Sequence, residues 1–105
     1  MCQSIILSSK GNTTISYCSH CQSHYIWQNS FLLTFNAHQY SSFLAEISNK
    51  IGLEEFVTFP DGDSRLLLTT PVYEILFAFT EDEWVDFTGS LNEAYYMREI
   101  YQMMN

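Results

Sequence analysis

Two junctions constrain what this chain can fold into more than any other feature. At each, an alternating run of phenylalanine and aliphatic residues leads straight into a self-capping helix start. Phe31, Leu33 and Phe35 alternate ahead of Asn36; Ile75, Phe77 and Phe79 alternate ahead of Thr80. A period of two is the mark of a strand with one buried face. Asn36 with Gln39, and Thr80 with Glu83, are capping boxes, in which two side chains reciprocally satisfy free backbone donors of a first helical turn. Behind the first box, Tyr40, Phe43, Leu44, Ile47 and Ile51 fall on one helical face, and Gly52 is a natural stop. Behind the second, Trp84, Phe87 and Leu91 do the same. Gly89 then interrupts, and Ser90 with Glu93 resembles a third box. The expectation is a short helix, a kink near Gly89, and a second helical stretch to about Met103, with Met97, Ile100, Tyr101 and Met104 on its apolar face.

The remaining strands surround these junctions. Residues 4–8 and 13–17 flank the turn signal Ser9-Lys10-Gly11-Asn12 and read as a hairpin. Tyr25-Ile26-Trp27 and Phe31–Phe35, across Asn29-Ser30, read as another. Residues 56–59, a turn at Pro60-Asp61-Gly62-Asp63, and strands at 65–70 and 73–80 complete the second half. Asp61-Gly62-Asp63 is too short for a calcium loop and reads as a turn. A shift of 44 residues superposes the junctions: Phe35 on Phe79, Tyr40 on Trp84, Phe43 on Phe87, Ile47 on Leu91. Hairpins followed by a helix, twice, predict one α+β domain over residues 1–105. About six mostly antiparallel strands would carry two main helices on one face, with an internal pseudo-repeat as a candidate origin.

Composition excludes several function classes. Four basic residues (Lys10, Lys50, Arg65, Arg98) stand against twelve acidic ones, a net charge of −8. No basic patch can be assembled for phosphates or anionic lipid, so no nucleic-acid or membrane partner is expected. No run approaches the ~20 apolar residues of a membrane span. The first ten residues lack the basic and apolar regions of a signal peptide, so the expected location is cytoplasmic, with reduced or metal-bound cysteines. No nucleophile elbow or Gly-rich phosphate loop is present.

The one constellation with chemistry is Cys18-Ser19-His20-Cys21. Two cysteines three apart in a tight turn form half of many structural zinc sites. A turn centred on Lys10-Gly11 would place Cys2 opposite Ser19, inside that half-site. His24, on the outgoing strand, is preferred to His20 as fourth ligand. Cys2, Cys18, Cys21 and His24 would form a closed Cys3His zinc site that stabilises the fold without catalysing a reaction. A thiol- or metal-dependent enzyme using Cys18 and Cys21, and a metal-free domain, are the alternatives. Tyr95, Tyr96, Tyr101 and Met103 exceed what one helix face buries and mark a candidate surface for a protein partner or a homodimer. The expected role is therefore non-enzymatic, acting through protein–protein contacts.

An early cysteine, then Cys18-x-x-Cys21, then Asn29-Ser30-Phe31-Leu32-Leu33-Thr34-Phe35 and a helix with Phe43, resembles an uncharacterised family of small bacterial proteins, a domain of unknown function. Phe77-Ala78-Phe79-Thr80-x-x-Glu83 is similar to that family's second junction. The resemblance runs from Cys2 to about Ala94 and implies that the cysteines belong together. It implies no activity, substrate or partner.

Overall fold

The computed structural model describes residues 3–104. Four strands, β1 (Ile5–Lys10), β2 (Thr13–Cys18), β3 (Ser23–Gln28) and β4 (Phe31–Phe35), form an antiparallel meander in sequence order. Helix α1 (Ala37–Lys50) follows. Strands β5 (Val57–Thr58), β6 (Ser64–Thr69) and β7 (Leu76–Phe79) form a second antiparallel sheet, and α2 (Glu81–Met103) closes the chain. The architecture is α+β, with seven strands among the described residues where about six were expected.

Both capping boxes form. The Asn36 side chain accepts the Gln39 N–H at 2.8 Å, and Gln39 Oε1 accepts the Asn36 N–H at 3.0 Å. Thr80 and Glu83 repeat the exchange at 3.3 and 2.9 Å. They fix each helix at the angle at which its strand delivers it, and they are the part of the pseudo-repeat that the structure keeps. The rest diverges: four strands against three, and helices of 14 and 23 residues.

The expected kink near Gly89 is absent, because α2 runs unbroken from Glu81 to Met103. Glycine in a helix costs about 1 kcal/mol against alanine, and here packing offsets it. The Lys10 stem crosses α2 at Gly89, where an added β-carbon would meet Lys10 Cδ at 3.4 Å, ordinary van der Waals contact. Its ammonium then reaches Glu93 at 3.1 Å. Beside it, Ser90 is fully buried and starts no new helix; its carbonyl accepts the Ser8 hydroxyl at 2.6 Å. The strand expected over 73–80 begins only at Leu76. Thr70 Oγ1 donates to the carbonyls of Val72 and Ile75, which rolls the intervening residues into a turn.

The first hairpin also differs from expectation. Its turn is Gly11-Asn12, with Lys10 opposite Thr13, and a bulge at Leu7 shifts the register so that Ile5 lies opposite Tyr17. The bulge re-aims Leu7 into the core, where it is buried. Gly11 takes φ +55°, and an added β-carbon there would run into the Asp86 carboxylate of α2. Gly11→Ala should therefore destabilise the fold by about 1–2 kcal/mol through backbone strain and displacement of Asp86. Urea denaturation checks this.

One core joins both sheets and both helices. Leu7, Ile15, Ile26 and Phe35 of the first sheet and Leu66, Leu68, Phe77 and Phe79 of the second join Tyr40, Phe43 and Ile47 of α1 and Trp84, Phe87 and Leu91 of α2, with α2 lying mainly along β1 and β2. The described residues include no helix long and apolar enough to cross a membrane.

Candidate functional site

The Cys18 turn lies where the sequence places it, between β2 and β3, with Cys18 opposite Ser23 and Gln22 at φ +55°. Of the expected ligands, His24 lies on the opposite face of the sheet from Cys18. Opposed residues in an antiparallel pair share a face, and faces alternate along each strand. Cys18 and Ser23 therefore leave the sheet on one side, and Tyr17 and His24 on the other. Cys18 is buried and disulfide-bonded, so its sulfur is not a reduced thiolate of the kind expected. Cys21 is exposed, its backbone N–H reaching Cys18 Sγ at 3.4 Å. Cys2 lies outside the described residues. Among the described residues, no group of three or more His, Cys, Asp or Glu side chains is placed to hold a metal ion.

His24 has a different setting. It is 0% exposed, on the core face of β3, where four elements meet. Its ring stacks on Tyr40 of α1 with centroids 3.9 Å apart and planes 6° from parallel. Tyr17 of β2 lies against it at 4.6 Å, and the Arg98 guanidinium of α2 caps the Tyr17 ring at 4.8 Å. Arg98 and His24 thus both contact the Tyr17 ring, and both line one cavity with Tyr40. Each contact follows from local structure: the β2–β3 register opposes Tyr17 and His24, the capping box at Asn36 starts α1 so that Tyr40 comes over β3, and the unbroken α2 carries Arg98 to the same point.

The electrostatics follow from burial. His24 is held down to about 4, mainly because burial penalises the imidazolium and secondly because Arg98 is nearby. Tyr40 is pushed up to about 12 by burial, with Arg98 opposing. Near neutral pH the site therefore holds a neutral imidazole, a neutral phenol and one fixed positive charge. Among the described residues, neither His24 nitrogen has a hydrogen-bond partner, nor does the buried Arg98 Nε. A cavity of about 90 Å³ adjoins them, with Ser41, Tyr95 and Glu99 in its wall. Sequence reasoning missed this cluster because its members lie far apart along the chain. The available signal was Arg98 itself, a rare cation between apolar helix positions.

The C-terminal part of α2 is the second feature. Tyr95, Tyr96, Ile100, Met103 and Met104 are exposed, Tyr96 at 67% and Met103 at 81%. Tyr101, assigned to the same surface from sequence, instead packs partly buried against the core. Tyr96, Ile100 and Met103 lie at i, i+4 and i+7 and form one stripe. At ~1.5 Å per residue α2 is about 34 Å long, in a molecule 49 Å on its long axis. No protein-family model, curated protein or solved structure matches this chain.

Proposed function

We propose that this protein is a non-enzymatic contact module whose docking surface is the C-terminal half of α2. The observation that carries this reading is the exposed stripe of Tyr96, Ile100 and Met103, with Tyr95 and Met104 at its margins. Aromatic and methionine side chains supply large contact area and adapt to a partner's shape.

Charge favours a basic partner. Six of the twelve acidic residues lie on α2 (Glu81, Asp82, Glu83, Asp86, Glu93, Glu99), with Arg98 as the one cation of that helix. Two copies at −8 each would repel, whereas a basic amphipathic helix would lay an apolar face on the stripe and its cations against Glu93 and Glu99.

The test is titration of the protein with a designed amphipathic helical peptide bearing lysines on its polar face, followed by calorimetry. Saturable binding should weaken at least about tenfold in Tyr96→Glu/Met103→Glu, the loss of about 1.4 kcal/mol expected of one central anchor. It should also weaken with added salt. Binding that the double variant leaves unchanged would sink the proposal. Concentration-dependent dimerisation abolished by that variant would replace the basic partner with a second copy.

A further inference from the structure

We propose that the cavity between β3, α1 and α2 is a binding site for a compact carboxylate anion, gripped by Arg98 and His24. This site does not depend on the contact surface proposed above.

The first argument is charge. Acidic residues outnumber basic ones three to one, and Lys10 pairs with Glu93 and Arg65 with Asp61 and Asp63, while Lys50, without an ion pair among the described residues, sits in the last turn of α1, where the helix dipole favours a cation. Among the described residues Arg98 has no carboxylate within ion-pair distance. Glu99 borders the same cavity but is exposed and makes no ion pair with it. A half-buried guanidinium without a counter-charge, in a chain so rich in carboxylates, is a place kept for an anion from outside.

The second argument is unmet hydrogen bonding. Among the described residues, Arg98 Nε–H is buried with no acceptor, and so is the N–H of the neutral His24 ring. Buried donors are nearly always paired, and each unpaired one is unfavourable by more than an average hydrogen bond contributes. An acceptor that carries negative charge answers both donors and the guanidinium at once. A planar carboxylate fits the guanidinium fork better than a spherical ion.

The third argument is size and access. About 90 Å³ equals the liquid volume of about three water molecules. That admits formate or acetate. Ser41, Leu44 and Tyr95 also line a longer groove of about 350 Å³ between α1 and α2, which gives a small solute a route in. Tyr40 stacks on the His24 ring and Tyr17 lies tilted against it, which holds the ring where it lines the cavity.

The experiment is a titration of the full chain with sodium formate and sodium acetate at pH 7. It follows the His24 ring nitrogens and Arg98 Nε by ¹⁵N NMR, against sodium chloride at equal ionic strength. Formate or acetate should shift both residues together and saturably, with half-saturation on the order of 1 mM, near the ceiling for so small a ligand. Arg98→Gln should weaken binding at least about tenfold, and Arg98→Lys should recover only part of that, because a lysine keeps the charge and loses the fork. Glu99→Gln should tighten binding a few-fold. The wild-type titration decides the matter even if an Arg98 variant does not fold. No saturable shift up to 100 mM beyond the chloride control, or an equal response to chloride, would overturn the proposal and leave a hydrated cavity.

Discussion

Phe87→Ala should destabilise the protein by about 3–5 kcal/mol, the range for truncating a fully buried aromatic. Phe87 has 0% exposure and sits where the two halves of the chain meet. Its ring centroid lies 4.7 Å from Phe79 and 6.2 Å from Trp84, and it meets Phe43 of α1 and Phe77 of β7 edge-on at 6.5 Å. Removing it opens a void shared by α1, α2 and the second sheet, so no single element can collapse to fill it. Small domains are stable by only about 5–15 kcal/mol. The urea midpoint of Phe87→Ala should therefore fall steeply or the variant should not fold at all. Tyr96→Ala, two turns and a half further along the same helix and exposed, should change stability by no more than about 0.5 kcal/mol. A Phe87→Ala effect below about 1 kcal/mol would mean that the halves do not share one core.

What the sequence made legible was local. The strand at Phe31–Phe35 and the boxes at Asn36 and Thr80 are each complete within ten residues, and the structure has all three, although of the alternating set only Phe35 is fully buried and Phe31 is 51% exposed. Gly89 was misread because its use is non-local. Composition alone reads a helical glycine as a break, whereas here α2 runs on through it, and Lys10, 79 residues earlier, packs across that point. The first hairpin was misread for a related reason. One bulge residue at Leu7 changes every partner beyond it, and nothing in Ser4-Ile5-Ile6-Leu7-Ser8 marks which residue bulges. Only the expected placement of Cys2 rested on that register. His24 was singled out, but as a ligand for the turn. Its alternation on β3 sends it to the opposite face, toward Tyr40 and Arg98, partners that only the packing of both helices on the sheet brings near.

Acid should test that placement directly. Because His24 is held down to about 4 in the folded protein and titrates near 6.5 when unfolded, the unfolded chain takes up a proton first as pH falls. The neutral ring's contribution is intact above pH 6.5, is lost progressively as pH drops, and stops declining near pH 4, where the folded state protonates as well. Between pH 7.5 and pH 5 the linkage relation gives a loss of about 2 kcal/mol, and water reaching the ring through the cavity reduces this toward 1. The lowered carboxyls do not share the window. Asp61, held down first by its hydrogen bond from Arg65, and Glu54, held down first by a backbone hydrogen bond, contribute above their unfolded values and lose that contribution only at more acid pH. Urea denaturation at pH 7.5 and pH 5 should therefore show a fall in stability in the wild type that is largely absent in His24→Phe. The phenyl ring keeps the stack on Tyr40 and cannot charge. An equal fall in both proteins would place the acid-sensitive group elsewhere and remove His24 from the buried, neutral position on which the carboxylate site depends.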